Sequence, residues 1–126
     1  RNNSFLIENK IAKVLNCKKN TPKNEVIALT NHIDPPEIIL EKLKNYGMTS
    51  FRKLSSSYKY CVIANGEFDI YADKVRANEW DDAAGHAIAE HAGALVTDLE
   101  NNYFSYGRED YKNPTILIRR SENLNA

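Results

Sequence analysis

The sequence predicts an α/β fold with a mixed, largely parallel sheet and helices on both of its faces. From about residue 25 onward, segments patterned as strands alternate with segments patterned as helices, and such alternation favours a sheet covered by helices. The first of these strands, "EVIALT", is apolar along most of its length, which is typical of a strand buried on both faces. We therefore expect residues 1–24 to be an N-terminal connecting segment and residues 25–126 to be one α/β lobe.

The first predicted helix lies in "NHIDPPEIILEKLKNYG", residues 31–47. Asp34 suits the N-cap and Pro35 the first helical position, while Glu37 is placed to close a capping box. Gly47 is expected to end this helix, because glycine readily adopts the left-handed conformation found after a helix C-terminus.

The rest of the chain continues the alternation. The predicted elements are a strand at 49–54 ("TSFRKL"), a short helix at 55–66 that begins at a serine cap, a strand at 67–72 ("EFDIYA"), a helix at 79–93, a strand at 94–100 ("ALVTDLE"), and strand candidates at 102–108 ("NYFSYGR") and 115–120 ("TILIRR").

Composition excludes several classes of function. The 126 residues carry 17 basic and 17 acidic side chains, and a chain without a basic surface is not expected to bind nucleic acid or an anionic membrane. No apolar run approaches the length of a membrane span, and no secretory signal is visible. Cys17 and Cys61 match no metal-binding spacing. We read them as reduced cysteines of a cytoplasmic protein.

The stretch "EWDDAAGHAIAEHAGA", residues 79–94, carries the strongest chemical signal. Asp81 and Asp82 at a helix start can accept backbone N–H groups and meet the positive end of the helix dipole. His86 can pair with Asp82 or Glu90, each four residues away. A cation site is the alternative, because Mg²⁺ takes carboxylate and phosphate oxygens. Spacing alone leaves both interpretations open.

The same stretch resembles the C-terminal signature of the inositol monophosphatase-like superfamily, in which a Trp-Asp pair begins an Ala- and Gly-rich helix. "SSSYKYCVIANGEFDIY", "VIALTNH" and "NPTILI" are similar to segments of the 3′(2′),5′-bisphosphate nucleotidases of CysQ type. The match runs in order from about Glu25 to Arg120. The resemblance implies that this chain is the C-terminal lobe of the inositol monophosphatase-like fold.

The resemblance also implies roles for particular residues. Asp81 corresponds to an aspartate that binds the catalytic Mg²⁺ and contacts the substrate. His32, Ser56 and Lys59 fall where these enzymes bind the phosphorylated nucleotide; without the resemblance they would be a loop histidine, a helix cap and a solvated lysine. Asp82 takes the place of an uncharged residue, and we interpret it as a cap or surface residue.

Several positions depart from the family pattern. Ser55 replaces a glycine, Ala94 replaces the second glycine of a pair, and Asp73 stands where a phosphate-contacting arginine is found. Lys74 and Arg76 are candidates to compensate for that arginine. The Asp-Pro-(Ile/Leu)-Asp-Gly-Thr segment with most metal ligands of the family is absent. "DPPE", residues 34–37, lacks its second aspartate and suits a helix start better.

The resemblance therefore implies part of a Mg²⁺-dependent phosphomonoesterase that removes the 3′-phosphate of adenosine 3′,5′-bisphosphate. The alternatives are a phosphatase for inositol or sugar phosphates and a non-catalytic domain that binds a nucleotide or a partner. The expected partners are a phosphorylated nucleotide and an N-terminal lobe that would supply the other metal ligands. This chain alone is expected to be inactive, and exposed apolar surface predicts self-association.

Overall fold

The computed structural model describes residues 3–17, 25–74, 76–103 and 105–121. Within these ranges the chain forms three helices and seven strands. In order they are β1 (Phe5–Glu8), β2 (Ile11–Val14), β3 (Ile27–Thr30), α1 (Glu37–Asn45), β4 (Ser50–Lys53), α2 (Tyr58–Ala64), β5 (Ile70–Asp73), α3 (Glu79–His91), β6 (Leu95–Thr97) and β7 (Ile116–Arg119). None of the described helices is long and apolar enough to cross a bilayer.

The main sheet has five strands among the described residues, in the order β4-β3-β5-β7-β6. Strand β3 pairs in parallel with β4 and with β5. Strand β7 pairs antiparallel with β5 and with β6. The mixed sheet is therefore confirmed, with half of its pairings parallel rather than most of them.

Helices cover both faces of the sheet, as predicted. On one face, Ile39 and Leu43 of α1 pack against Ala28, Ile70 and Leu117. On the other face, residues of α2 and α3 join a second core cluster. The strand residues in this second cluster include Leu29, Tyr71, Val96 and Ile118. They alternate along the strands with the residues of the first cluster, because successive side chains of a strand point to opposite faces of the sheet.

Helix α1 begins later than the sequence predicts. Its N-cap is Pro36, with φ −56° and ψ 146°, and Glu37 is the first helical residue. A residue that precedes proline is driven out of the helical region, so Pro35 cannot occupy the first helical position in front of Pro36. The predicted Asp34 cap and Glu37 capping box are wrong, since no side chain caps this helix. The end is as predicted, because Gly47 follows with φ +89°.

The candidate strand at residues 102–108 is wrong, since none of its described residues forms a strand. Instead, the N–H groups of Gly107 and Arg108 donate to the Glu79 carboxylate at 2.8 and 3.2 Å. The Tyr106 hydroxyl lies 2.6 Å from Nδ1 of His86. Side chains of α3 therefore hold this segment, and the N–H groups of Gly107 and Arg108 are not available to a strand partner.

Within the segment predicted as a connector, residues 5–14 form an antiparallel hairpin. Asn9 and Lys10 both have positive φ, 50° and 65°, as a tight two-residue turn between twisted strands requires. The hairpin presents an exposed apolar face, because Phe5, Ile7 and Val14 are 53%, 69% and 52% exposed.

A buried ion pair between Asp69 and Arg120 stabilises the sheet next to the first residues of β3 and β5. Nε of Arg120 lies 2.7 Å from Oδ1 of Asp69, and the other oxygen of Asp69 accepts the N–H of Ile27 at 2.8 Å. Arg120 also donates to the carbonyl of Cys17 at 3.1 Å. This one pair therefore ties β3, β5 and β7 to the end of the hairpin segment.

Helices α2 and α3 are in close contact at Gly85. A Cβ atom added there would lie 2.3 Å from Cδ2 of Tyr60 and 2.6 Å from its Cγ. The ring of Tyr60 is fully buried, so it has no free space into which it could move. Glycine at this position is therefore a packing requirement.

We predict that Gly85→Ala lowers the free energy of unfolding by about 1–3 kcal/mol, because the new methyl group would overlap a buried ring. Alanine is the better helix former by up to about 1 kcal/mol, so the expected loss is net of that gain. Urea unfolding measures it, and Ala84→Gly on the exposed side of α3 reports helix propensity alone. A Gly85→Ala protein as stable as the wild type would contradict the packing argument.

The exposed apolar face of the hairpin predicts self-association of this chain. Replacing Ile7 and Val14 by threonine keeps β-branched side chains in both strands while it removes apolar surface. We expect sedimentation equilibrium to show a concentration-dependent mass for the wild type and a monomer for the double variant. A wild-type chain that sediments as a monomer would rule this out.

Candidate phosphate and metal site

An open cavity of about 480 Å³ lies where the start of α2 meets the start of α3. It brings together three of the four residues that the sequence singled out, namely Ser56, Lys59 and Asp81. The remaining lining residues are Ser55, Ser57, Ala77, Trp80 and Asp82. Residues far apart in the sequence meet here because α2 and α3 pack side by side on one face of the sheet.

Asp81 caps α3 and also faces the cavity. Its Oδ2 accepts the N–H of Asn78 at 3.1 Å, which is the carboxylate half of a capping box. In the described part of the chain, its other oxygen has no hydrogen-bond partner. The side chain is exposed, so Asp81 can serve as a helix cap and still offer one oxygen to a ligand.

Lys59 is buried, with only 8% of its surface exposed, although its side chain carries a charge. Its Nζ lies 5.3 Å from the ring centroid of Tyr60 and 4.9 Å from that of Tyr71. Burial lowers the pKa of Lys59, and the negative charges of Asp82, Asp73 and Asp81 oppose that effect. Within the described residues this ammonium has neither an ion pair nor a hydrogen bond. It is therefore a cation available to an anionic ligand.

Ser56 lies in the turn that leads into α2. Its Oγ accepts the N–H of Tyr58 at 3.2 Å, and the residue is exposed at the cavity. The structural N-cap of α2 is the next residue, Ser57. The hydroxyl hydrogen of Ser56 can therefore donate to a ligand in the cavity while its oxygen holds the turn.

His32 lies apart from this group. It is exposed in the loop that follows β3, and its carbonyl accepts the Thr30 hydroxyl at 2.7 Å. Its neighbour Asn31 lines a second, inner cavity of about 100 Å³, but His32 lines neither cavity. The nucleotide-binding role of His32 stays a prediction.

Asp82 is the main correction to the sequence analysis. It is 4% exposed, so the interpretation as a cap or surface residue is wrong. Its Oδ1 accepts the Tyr60 hydroxyl at 2.9 Å, and its Oδ2 accepts the side-chain amide of Asn113 at 2.9 Å. The spacing could have shown this, because Asp82 lies on the same helix face as Gly85 and Ala89, three and seven residues on. His86 pairs with Glu90, at 2.9 Å.

Asp73 lies behind Lys59 at the end of β5. It is 5% exposed, and its Oδ2 accepts the Tyr71 hydroxyl at 3.2 Å. Together with Lys59 and Asp82 it lines the inner cavity. Arg76, a candidate to replace the missing arginine, donates instead to the carbonyls of Asn113 and Lys112.

The donors present fit one part of a Mg²⁺ site. No group of three or more His, Cys, Asp or Glu side chains that could hold a metal ion occurs in the described ranges. Asp81 nevertheless has an oxygen available at the cavity, and Mg²⁺ commonly takes only one or two protein carboxylates beside phosphate oxygens and water. A complete site would therefore need ligands beyond those described.

The comparisons with known proteins agree on one family. Residues 3–126 match the inositol monophosphatase family. The 3′(2′),5′-bisphosphate nucleotidase CysQ of Escherichia coli (strain K12) is 36% identical over 94 residues, which are 74% of this chain and 37% of that protein. The 3′(2′),5′-bisphosphate nucleotidase of Dictyostelium discoideum is 30% identical over 109 residues, covering 71% of this chain and 33% of that protein.

A solved structure shows the same relationship. CysQ from Bacteroides thetaiotaomicron, described as a bacterial member of the inositol monophosphatase family, superposes with a TM-score of 0.64 at 31% identity. The superposition covers 79% of this chain and 39% of that one. The chain thus spans between 33% and 39% of the length of these three relatives.

The Tyr60–Asp82 contact predicts how stability depends on alkaline pH. Burial raises the pKa of Tyr60, and the charge and hydrogen bond of Asp82 raise it further. An unfolded tyrosine loses its proton near pH 10, whereas folded Tyr60 keeps it. The contribution of Tyr60 to the free energy of unfolding is therefore fully present below about pH 10. Above that pH it falls by about 1.4 kcal/mol per pH unit.

Tyr60→Phe should remove that part of the alkaline loss, which urea unfolding between pH 8 and about 11 would measure as a shallower decline. Tyr103→Phe is the matched control, because Tyr103 is 75% exposed. Parallel pH profiles for the wild type and Tyr60→Phe would contradict this account.

Proposed function

Because the chain belongs to the inositol monophosphatase family, we propose that it forms the phosphate-binding part of a Mg²⁺-dependent phosphomonoesterase. The observation that carries the proposal is the meeting of Ser56, Lys59 and Asp81 at one cavity, since the resemblance assigned all three to phosphate or metal. The family resemblance read from the sequence is confirmed by the family match.

The chain's own residues would bind and orient the phosphate. The ammonium of Lys59 would attract it as a point charge, and the buried position of Lys59 strengthens that attraction because little water screens it. Ser56 would donate its hydroxyl hydrogen to a phosphate oxygen. Asp81 would offer one carboxylate oxygen to Mg²⁺ on the other side of the same cavity.

Mg²⁺, when bound, would neutralise phosphoryl charge and lower the pKa of a coordinated water. Asp81 is the described residue that suits such an ion. We propose that the remaining ligands come from outside the described residues, in agreement with relatives about twice as long as this chain. The lobe alone is then expected to bind phosphate compounds without turning them over.

For the substrate we propose adenosine 3′,5′-bisphosphate, with removal of its 3′-phosphate. The support is that the relatives at 36% and 30% identity are named 3′(2′),5′-bisphosphate nucleotidases. Asp73 favours the second candidate, an inositol or sugar phosphate with a single phosphate. Its buried carboxylate lines the inner cavity behind Lys59 and would repel a second phosphate placed there.

Calorimetry with adenosine 3′,5′-bisphosphate and with inositol 1-phosphate, each with and without Mg²⁺, tests the proposal on this chain. We expect tighter binding of the nucleotide, and Lys59→Ala should weaken it by about tenfold or more, the scale of a lost charge-assisted hydrogen bond. Asp81→Asn should abolish the Mg²⁺-dependent part of the affinity. Asp34→Asn, an exposed aspartate outside the cavity, is the matched control.

The outcomes separate the alternatives. Tighter binding of inositol 1-phosphate would replace the nucleotide by the polyol phosphate as substrate class. Nucleotide binding that neither Mg²⁺ nor Asp81→Asn changes would indicate a non-catalytic binding domain. Phosphate release by this chain, abolished in Asp81→Asn, would show that it completes a metal site by itself.

A further inference from the structure

The available charge of Lys59 needs an explanation, because two buried carboxylates lie close enough to influence it. Asp73 and Asp82 both line the inner cavity with Lys59, and their charges act on its ammonium. A lysine beside a buried carboxylate would ordinarily form an ion pair with it. Here the ammonium lies over the rings of Tyr60 and Tyr71 instead, within the distance at which a cation is attracted to an aromatic face.

The oxygens of Asp82 are both already engaged. One accepts the Tyr60 hydroxyl at 2.9 Å and the other accepts the Asn113 amide at 2.9 Å. These two donors satisfy the buried carboxylate, so it need not draw the Lys59 ammonium toward itself. The lysine charge remains at the cavity wall.

The same contact fixes the ring under the lysine. Tyr60 is wedged against Gly85, with no room for even one additional carbon atom between them, and its hydroxyl is held at the far end by Asp82. A hydroxyl that donates to a carboxylate also makes its own ring richer in electrons, because hydrogen-bonded groups polarise one another. The ring is thereby both better placed and a better partner for the Lys59 ammonium.

We propose that Asp82 is a positioning residue of the phosphate site: it acts through Tyr60 to hold the Lys59 ammonium at the cavity wall, free to meet a phosphate. The inference rests on the proposed function, because it assigns Asp82 to a cavity that takes a phosphate at Lys59. It gives Asp82 a task quite separate from that of its neighbour Asp81.

Asp82→Ala and Asp82→Asn separate positioning from charge. Alanine leaves the buried Tyr60 hydroxyl without its acceptor. Asparagine keeps an oxygen for that hydroxyl. Its amide group can donate to Asn113 once the Asn113 side-chain amide turns over, so that Oδ1, a buried atom without a partner in the described part of the chain, takes the place of Nδ2. If Asp82 acts by holding Tyr60, asparagine preserves the site even though the negative charge is gone.

Two readouts on the folded 126-residue chain test this, with inorganic phosphate as the probe. The first is phosphate affinity by calorimetry. The second is the upfield ring-current shift of the Lys59 ε-methylene protons in the NMR spectrum, which depends on the rings beneath them and not on phosphate. We expect Asp82→Ala to weaken phosphate binding by about tenfold and to reduce the shift, while Asp82→Asn stays within about twofold of the wild type in affinity.

Tyr60→Phe guards against a variant that fails to fold, because it keeps the ring and removes only the hydroxyl that Asp82 accepts. It should weaken phosphate binding and reduce the shift as Asp82→Ala does. The inference is overturned if Asp82→Ala keeps both the wild-type shift and the wild-type affinity, or if Asp82→Asn loses as much as Asp82→Ala. A different result would overturn the proposed function itself. In that case the ring-current shift changes in the Asp82 and Tyr60 variants as expected, but Lys59→Ala leaves the phosphate affinity unchanged, and Asp82 then has no role in phosphate binding.

Discussion

The site depends on the close approach of α2 and α3 at Gly85. Because this residue has no side chain, the ring of Tyr60 packs directly against α3 and its hydroxyl reaches Asp82. The starts of the same two helices carry Lys59 and Asp81, which line one cavity. A wider separation would leave a surface lysine and a helix cap in place of one cavity. A packing constraint in the core therefore determines the chemistry at the surface.

Sequence patterns predicted the parts of the fold that depend on local periodicity. Alternating strand and helix signals gave the order of elements and the two covered faces, and the family motif brought Ser56, Lys59 and Asp81 to one cavity. The misses have nonlocal or stereochemical causes. Asp82 takes the place of an uncharged residue in the family pattern, which suggests a cap or surface residue, whereas its helical register with Gly85 places it on the buried face of α3. The start of α1 differs from the prediction because Pro36 restricts the backbone of Pro35, and the helix begins at Glu37.

The two carboxylates at the start of α3 differ in what they can do. Asp81 caps the helix with one carboxylate oxygen and has the other oxygen available to a ligand. Both oxygens of Asp82 accept hydrogen bonds from buried side chains. Lys59 is the counterpart, a buried cation whose neighbour Asp82 is hydrogen-bonded to Tyr60 and Asn113 instead. The Lys59 ammonium is thus kept in a partly desolvated position, where it contributes little to the free energy of unfolding. Local inconsistency of this kind is typical of residues that serve a site.

The position of β7 in the sheet has a consequence for how the chain assembles. Within the described ranges, strand β6 pairs with the sheet only through β7, which lies between it and β5 although it comes later in the sequence. During synthesis, β3, α1, β4, α2 and β5 can therefore associate as they emerge, whereas β6 must wait. The antiparallel pairings of β5 and of β6 both need β7, so they form only once that strand is available. The buried carboxylate of Asp82 therefore lacks its second hydrogen bond until the chain has been synthesised beyond β6, because the donor is Asn113.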